Sequence, residues 1–338
     1  MELTVAIPTY NRNRQLVETL GRLLPQLTAT CRVVIFDNCS PTPVTESLAD
    51  LLSHYPQAHV KIHRNRVNIG GNANVCRCFE TCETEWLWVL GDDDPPLPDA
   101  VTRLAALVAA KPELVFANYS SNFFRRERSI DTVGLAEFMQ HFDHFGNILS
   151  LSASLYRSAP ILAQIIHGMN AAQSAAPQLA MLLRAIGDSG RCCLSEERLV
   201  EHAPFDAKNY WSLLDTGLSL SLLFEGPYPS SVCEPLGRAL VRSGIQSQEA
   251  FAILLIYRAL ATGDIRKALY LYDQLFSRYY YFAPKLSRRI RTLAYRPMVR
   301  FPKLGLPVMR RLLGILHGRT RAEELIAMLE ANIRSSRL

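Results

Sequence analysis

Over the first ~120 residues the apolar positions alternate between short runs and helix-spaced stripes. Runs at 3–8, 32–36, 59–63, 85–90 and 114–118 have strand length and are bounded by turn-forming residues. Between the first two, Leu16, Leu20, Leu23, Leu24 and Leu27 recur at helical spacing over 11–27. Further helices are expected over 44–53, over 70–82, and from Pro98 and Asp99 to about 110. Strands alternating with helices predict an α/β layer fold. From 123 to 225 the pattern is less regular, with an amphipathic helix near 178–186 and a strand near 191–200. Beyond Pro235 the chain reads as helical throughout, most clearly over 248–261, 265–279 and 322–334.

Three polar clusters stand directly after apolar strands: Thr9-Tyr10-Asn11-Arg12, Asp37-Asn38 and Asp92-Asp93-Asp94. In α/β folds ligands bind beyond the carboxyl ends of the strands, so these clusters should converge in space. Three consecutive carboxylates repel one another and raise one another's pKa, a cost that a divalent cation removes. A solvated acidic turn capping the helix near Asp99 would use the same residues. Asp37 is placed to accept hydrogen bonds from a base or ribose, or simply to form the turn in Asp37-Asn38-Cys39-Ser40-Pro41. Backbone N–H groups at the helix start after Thr9, with Arg12 or Arg14 nearby, suit an anion such as a diphosphate, although Asn11 could equally be an ordinary cap. Gly70 and Gly71 open a helix where backbone could approach a ligand closely, with Arg64 and Arg66 just upstream.

Four segments together carry a family resemblance: Val5-Ala6-Ile7-Pro8-Thr9-Tyr10-Asn11-Arg12, Val34-Ile35-Phe36-Asp37-Asn38-Cys39-Ser40, residues 65–74, and Trp88-Val89-Leu90-Gly91-Asp92-Asp93-Asp94. In order and spacing the chain resembles the inverting family 2 glycosyltransferases. The resemblance implies a GT-A fold, a Rossmann-like nucleotide-diphospho-sugar transferase domain, over 1–230, followed by a helical C-terminal extension over 231–338. It implies that Thr9, Tyr10 and Asp37 cradle the nucleoside, with Arg64 or Arg66 against the base. Pro8, Arg12, Asn68, Gly70, Asn72, Asp92 and Asp93 complete the implied nucleotide-sugar site. The carboxylates would hold Mn²⁺ or Mg²⁺ as a DXD motif, in either of two registers, Asp92-x-Asp94 or Gly91-x-Asp93 followed by Asp94. Direct displacement at the anomeric carbon then needs a base for the acceptor hydroxyl.

That base is where the sequence departs from the family. Pro177-Gln178 stand where many members carry Glu-Asp, and an amide is no base. The remaining candidates are Asp188, Glu196, His202 and Asp206. In this respect, and in its Gly-Asp-Asp-Asp, the chain resembles an abequosyltransferase-like subgroup active in bacterial surface-polysaccharide assembly, such as lipopolysaccharide or capsule. A glycan or polyprenyl-diphosphate-linked acceptor is the corresponding expectation. Processive synthases add membrane helices and Q-x-x-R-W, and neither is seen. A sugar-1-phosphate nucleotidyltransferase would need a glycine-rich N-terminal signature that is missing here. A non-catalytic nucleotide-sugar-binding or scaffold protein stays open.

Composition adds location. Hydrophobic residues make up 49% of the 338 and charged residues 20%, enough for a sizeable core. No apolar run approaches the ~18 residues of a membrane span, and the N-terminus does not read as a signal peptide. The eight cysteines form no zinc-knuckle pattern and read as reduced, buried thiols. A cytoplasmic protein is expected. The net charge of +6 hides an asymmetry, because Lys285 to Arg321 holds eleven Lys or Arg residues and no Asp or Glu. Interleaved with apolar residues, this segment suits either an anionic membrane surface, placing the protein peripherally on the inner face of the cytoplasmic membrane, or a solvated helical face. No nucleic-acid-reading module accompanies it.

Overall fold

The computed structural model describes residues 1–122, 124–142, 145–174, 176–202, 213–226, 228–242, 248–279 and 286–335. The chain forms two compact units, Met1–Pro204 and Phe205–Leu338. The sequence expectation placed the junction at 230.

The first unit is built on one eight-stranded sheet. Its strands are β1 (Leu3–Thr9), β2 (Cys31–Asp37), β3 (His59–Arg64), β4 (Trp86–Val89), β5 (Leu114–Ser120), β6 (Ile130–Val133), β7 (Ser154–Arg157) and β8 (Arg191–Arg198). They lie in the order β3-β2-β1-β4-β7-β5-β8-β6. β1 pairs in parallel with both β2 and β4, β2 with β3, and β5 with β8. β7 runs antiparallel between β4 and β5, and β6 antiparallel along the edge of β8. The five N-terminal strands and β8 follow the apolar runs. β6 and β7 are only four residues each and leave no periodic signal.

Helices cover both faces: α1 (Asn13–Leu23), α2 (Val44–Ser53), α3 (Gly71–Glu80), α4 (Ala100–Ala110), α5 (Gly134–Gln140), α6 (Phe145–Leu149), α7 (Ser158–Leu162), α8 (Ile165–Asn170) and α9 (Pro177–Ile186). α1 begins two residues later than its apolar stripe predicts. Asn11 sits in the left-handed region at φ 54° and Arg12 precedes the first helical turn, so Asn11 is a turn residue and not a cap. Leu16, Leu20 and Leu23 of α1 join Val5, Ile7, Val33, Ile35, Trp86 and Trp88 in the core. Each such leucine contributes roughly 1.5–3 kcal/mol by its burial. All eight cysteines are free thiols, and only Cys39 is not fully buried.

The second unit is helical: α10 (Leu213–Ser221), α11 (Ser230–Arg242), α12 (Gln248–Thr262), α13 (Ile265–Tyr279), α14 (Leu286–Arg300), α15 (Pro302–His317) and α16 (Arg319–Ser335). α12 is its centre, packed against α13, α14, α15 and α16. Its Glu249 is buried and accepts hydrogen bonds from Tyr295 Oη at 2.9 Å and Arg291 Nη1 at 3.3 Å, so the carboxylate keeps polar partners. Pro235, Pro297 and Pro307 lie inside α11, α14 and α15, so each leaves one backbone carbonyl of its helix without the usual N–H partner. Among the described residues, no helix is long and apolar enough to cross a membrane.

Candidate functional site

β1, β2, β3 and β4 are parallel, so their carboxyl ends lie on one edge of the sheet, and the three polar clusters meet there. Thr9 lies beside Asp37 in the β1–β2 register. Asn38 N–H donates to Thr9 O at 2.9 Å, and Asn11 N–H to Ser40 Oγ at 2.9 Å. Thr9 Oγ1 crosses to the acidic loop and donates to Asp92 Oδ2 at 2.6 Å.

Arg12 stands among the carboxylates. Its Nη1 donates to Asp93 Oδ2 at 2.6 Å and to Asp92 Oδ1 at 3.3 Å. Thr19 Oγ1, from α1, holds the Asp92 carbonyl at 2.9 Å. Asp94 is held from the other side: Ser152 Oγ donates to its Oδ2 at 2.6 Å while accepting the Gly91 N–H at 2.8 Å. A Cβ on Gly91 would lie 2.7 Å from Asp94 Oδ2 and 3.2 Å from Ser152 Oγ, so a larger residue there would displace the Asp94 carboxylate from this position. Ser152 is fixed in turn by Trp88 Nε1, which donates to its carbonyl at 2.9 Å. Burial pushes the Asp92 carboxyl up to about 6, with the Asp93 charge adding to the rise and Thr9 and Arg12 opposing it.

The second cluster is a closed network. Asp37, 1% exposed, accepts from Arg64 Nη1 and from Ser40 N–H at 2.8 Å, and Arg64 Nη2 donates to Ser40 O at 2.7 Å. Four asparagines then order the 65–74 loop. Asn65 Nδ2 donates to Asn38 Oδ1 and to Asn74 Oδ1, both at 2.9 Å. Asn38 Nδ2 donates to Asn68 Oδ1 at 2.8 Å, and Gly70 N–H reaches the same oxygen at 2.8 Å. Gly70 itself adopts φ 85° to turn the chain into α3. Arg66, Val67 and Ile69 of this loop are exposed, as is Tyr10 after β1. Pro8 and Asn72 are half-buried at its margins.

Of the candidate bases, the fold brings His202 to the acidic loop. Glu201 N–H donates to Pro95 O at 2.9 Å and Leu97 N–H to Leu199 O at 2.8 Å, tying the chain after β8 to the chain after Asp94. His202 Nε2 shares a 2.7 Å hydrogen bond with Ser150 Oγ. Burial lowers the His202 pKa below its ordinary value, opposed by the charges of Asp94 and Asp93. Asp188 precedes β8 and therefore lies at the opposite, amino-terminal edge of the sheet, so its candidacy is corrected by topology. Glu196 is exposed on β8, its N–H bonded to Ser129 Oγ. Asp206 lies outside the described residues. Gln178, in the first turn of α9, is buried and donates from Nε2 to Leu149 O at 3.2 Å. Ser150, Ser152 and Thr19 carried no motif, and only their partners, His202, Asp94 and the Asp92 carbonyl, could have pointed to them.

The donor set is carboxylate oxygen, which suits Mg²⁺ or Mn²⁺ in kind. Among the described residues no three Asp, Glu, His or Cys side chains converge on one point. A cation bound with ligand phosphates needs only one or two such carboxylates from the protein.

Residues 4–155 match the family model described as glycosyl transferase family 2. Abequosyltransferase RfbV of Salmonella typhimurium is 26% identical over 135 residues, 39% of this chain and 38% of that protein. An uncharacterized glycosyltransferase of Haemophilus influenzae is 26% identical over 114 residues, 34% of this chain and 37% of that one. The chain thus spans well under half the length of the curated relatives it matches. Among solved structures, S. aureus TarS 1-349 in complex with UDP-GlcNAc superimposes with a TM-score of 0.61 at 16% identity, over 96% of this chain and 91% of that chain. Strand order, the carboxyl-edge clusters and these matches agree: residues 4–155 are similar to the glycosyl transferase family 2 model, and the chain has a GT-A fold followed by a helical extension.

Proposed function

We propose that the chain is a metal-dependent, non-processive transferase. It moves a sugar from a nucleotide-diphosphate donor to a hydroxyl of a glycan or polyprenyl-diphosphate-linked acceptor, in bacterial surface-polysaccharide assembly. The observation that carries this reading is the meeting of Thr9, Arg12, Asp37 and Asp92 at one sheet edge, with Arg64 and the asparagine-ordered loop beside them. Asp37 and Arg64 face the base, Tyr10 and the 65–74 loop flank the nucleoside, and Asp92 faces the ribose. Arg12 pairs with the diphosphate when the donor arrives. Asp94, held in place by Ser152, is the carboxylate we assign to Mn²⁺ or Mg²⁺. Such a cation offsets the charge developing on the leaving diphosphate.

Burial keeps the His202 imidazole neutral near pH 7, so it is the base we assign to the acceptor hydroxyl proton. The Asp94 and Asp93 charges that act on it favour a second role, as a nitrogen ligand of the same cation. A polyprenyl-linked acceptor brings the enzyme to the inner face of the cytoplasmic membrane, with 285–321 as the contact. Gln178 favours one competing reading, donor binding without catalysis.

Titration calorimetry against UDP, GDP, CDP and dTDP, each in Mn²⁺ and in EDTA, tests the donor site. Metal-dependent binding of one nucleotide supports the transferase. A folded protein that binds none of the four overturns it. Turnover of the matching sugar nucleotide separates an enzyme from a binding protein.

A further inference from the structure

α15 has two apolar faces where a surface helix needs one. Pro302, Gly305, Met309 and Leu313 form the buried face. Gly305 lets α15 close onto α14, since a Cβ there would lie 2.1 Å from Met298 O. The other face remains uncovered. Leu304, Val308, Arg311 and Ile315 succeed one another at i, i+4, i+7 and i+11 and so share one line along the helix. Leu304 is 74% exposed and Ile315 73%, with Val308 between them and Phe301 one turn before. On α14, Ile290 and Leu293 are exposed as well.

Charge says what would cover this face. Arg300, Lys303 and Arg311 are exposed and have no acidic partner among the described residues, whereas Arg296 pairs with Asp273 and Arg310 with Glu330. Arg300 lies 5.8 Å from the centre of the Phe301 ring. Cations flanking an apolar stripe match a surface with anionic headgroups over hydrocarbon. A protein partner of similar size would have to supply an acidic, apolar groove. At 16 residues α15 is about 24 Å long, shorter than the ~30 Å hydrocarbon core, so it suits lying in the interface rather than crossing it.

We propose that α15 docks the chain on an anionic lipid bilayer, with Phe301, Leu304, Val308 and Ile315 entering the headgroup–acyl boundary. Arg300, Lys303 and Arg311 stay at the phosphates. This deepens the membrane contact proposed above and names the residues that make it.

The test uses the full chain, sedimented with vesicles of phosphatidylcholine alone or mixed with phosphatidylglycerol. Wild type should partition onto the anionic vesicles and be released between about 0.1 M and about 1 M salt. The double variant Leu304→Glu and Ile315→Glu alters only exposed positions and should lose binding by roughly tenfold or more. The triple variant Arg300→Gln, Lys303→Gln and Arg311→Gln should lose the preference for anionic over neutral vesicles. A double variant that binds as wild type does overturns the proposal, as does wild type that ignores both vesicles. A wild-type dimer that becomes monomeric in the double variant also overturns it, and assigns the stripe to a second copy. Nucleotide calorimetry on the same proteins separates the two claims. Vesicle binding without nucleotide binding sinks the transferase and leaves this surface standing, and the reverse result sinks the surface alone.

Discussion

Arg12 donates to Asp93 at 2.6 Å, so a side-chain cation already stands in the acidic loop before any metal or diphosphate arrives. Arg12 and a divalent cation bound at the neighbouring Asp94 would then compete for the field of one acidic loop. Arg12→Gln should lower stability in EDTA by about 1–3 kcal/mol, because partly buried carboxylates lose their partner. Mn²⁺ alone should restore most of that loss and bind the variant several-fold more tightly than wild type. Thermal melts and Mn²⁺ binding by electron paramagnetic resonance read both effects. Unchanged Mn²⁺ affinity would remove the competition.

Asp92 gives a pH signature. Its folded pKa of about 6 lies above its unfolded value of 3.8, so between them the folded state holds more protons. Stability from this group therefore falls as pH rises through that window, by up to roughly 3 kcal/mol once both states are ionised. Asp92→Asn, melted in EDTA, should gain on wild type as pH rises from about 4 to about 7 and lose that gain in acid. A difference that does not change with pH would place the Asp92 carboxyl at its ordinary value.

Ser152 positions Asp94. Ser152→Ala should weaken donor binding in Mn²⁺ by about tenfold, the loss of one hydrogen bond to a charged group. Asp93→Ala and Asp94→Ala should each weaken it too while leaving the fold intact. The readout is the ratio of affinities in Mn²⁺ and EDTA. If Ser152→Ala lowers only the melting temperature and leaves that ratio alone, its role is confined to the fold.

His202→Gln separates the two roles given to that imidazole. A base predicts turnover down by roughly 10²–10⁴ with Mn²⁺ affinity unchanged. A metal ligand predicts that Mn²⁺ affinity falls with it. Normal turnover would exclude both.

The convergence of the β1, β2 and β4 clusters was legible because it is local. Thr9, Asp37 and Asp92 each follow an apolar run directly, and a parallel sheet must put such residues on one edge. The 65–74 loop was legible from its glycines, although its order comes from four asparagines whose pairing spans as much as 36 residues, Asn38 to Asn74 through Asn65. The other side was not legible. Ser150 and Ser152 are small polar residues in the irregular stretch before β7, a strand too short to leave a pattern. Asp188 entered as a candidate because a sequence does not say which end of a strand a turn serves; the parallel pairing of β5 and β8 does. The helical character of the second unit was legible, and the individual bounds of α11, α14 and α15, each with a proline inside it, were not.

The reversed strand β7 has a consequence for how such a site can change. In a wholly parallel sheet, only chain leaving the strands reaches the functional edge. Because β7 runs the other way, the chain entering it reaches that edge too, and delivers Ser150 and Ser152 opposite the residues that leave β1 and β4. The two banks of the cleft are thus tethered differently. Residues leaving β1 and β4 are fixed directly by the strands they end, whereas the approach to β7 is a connection whose length the sheet does not dictate. Insertions there could redraw the far bank without moving the near one, so the two sides of such a site can change independently.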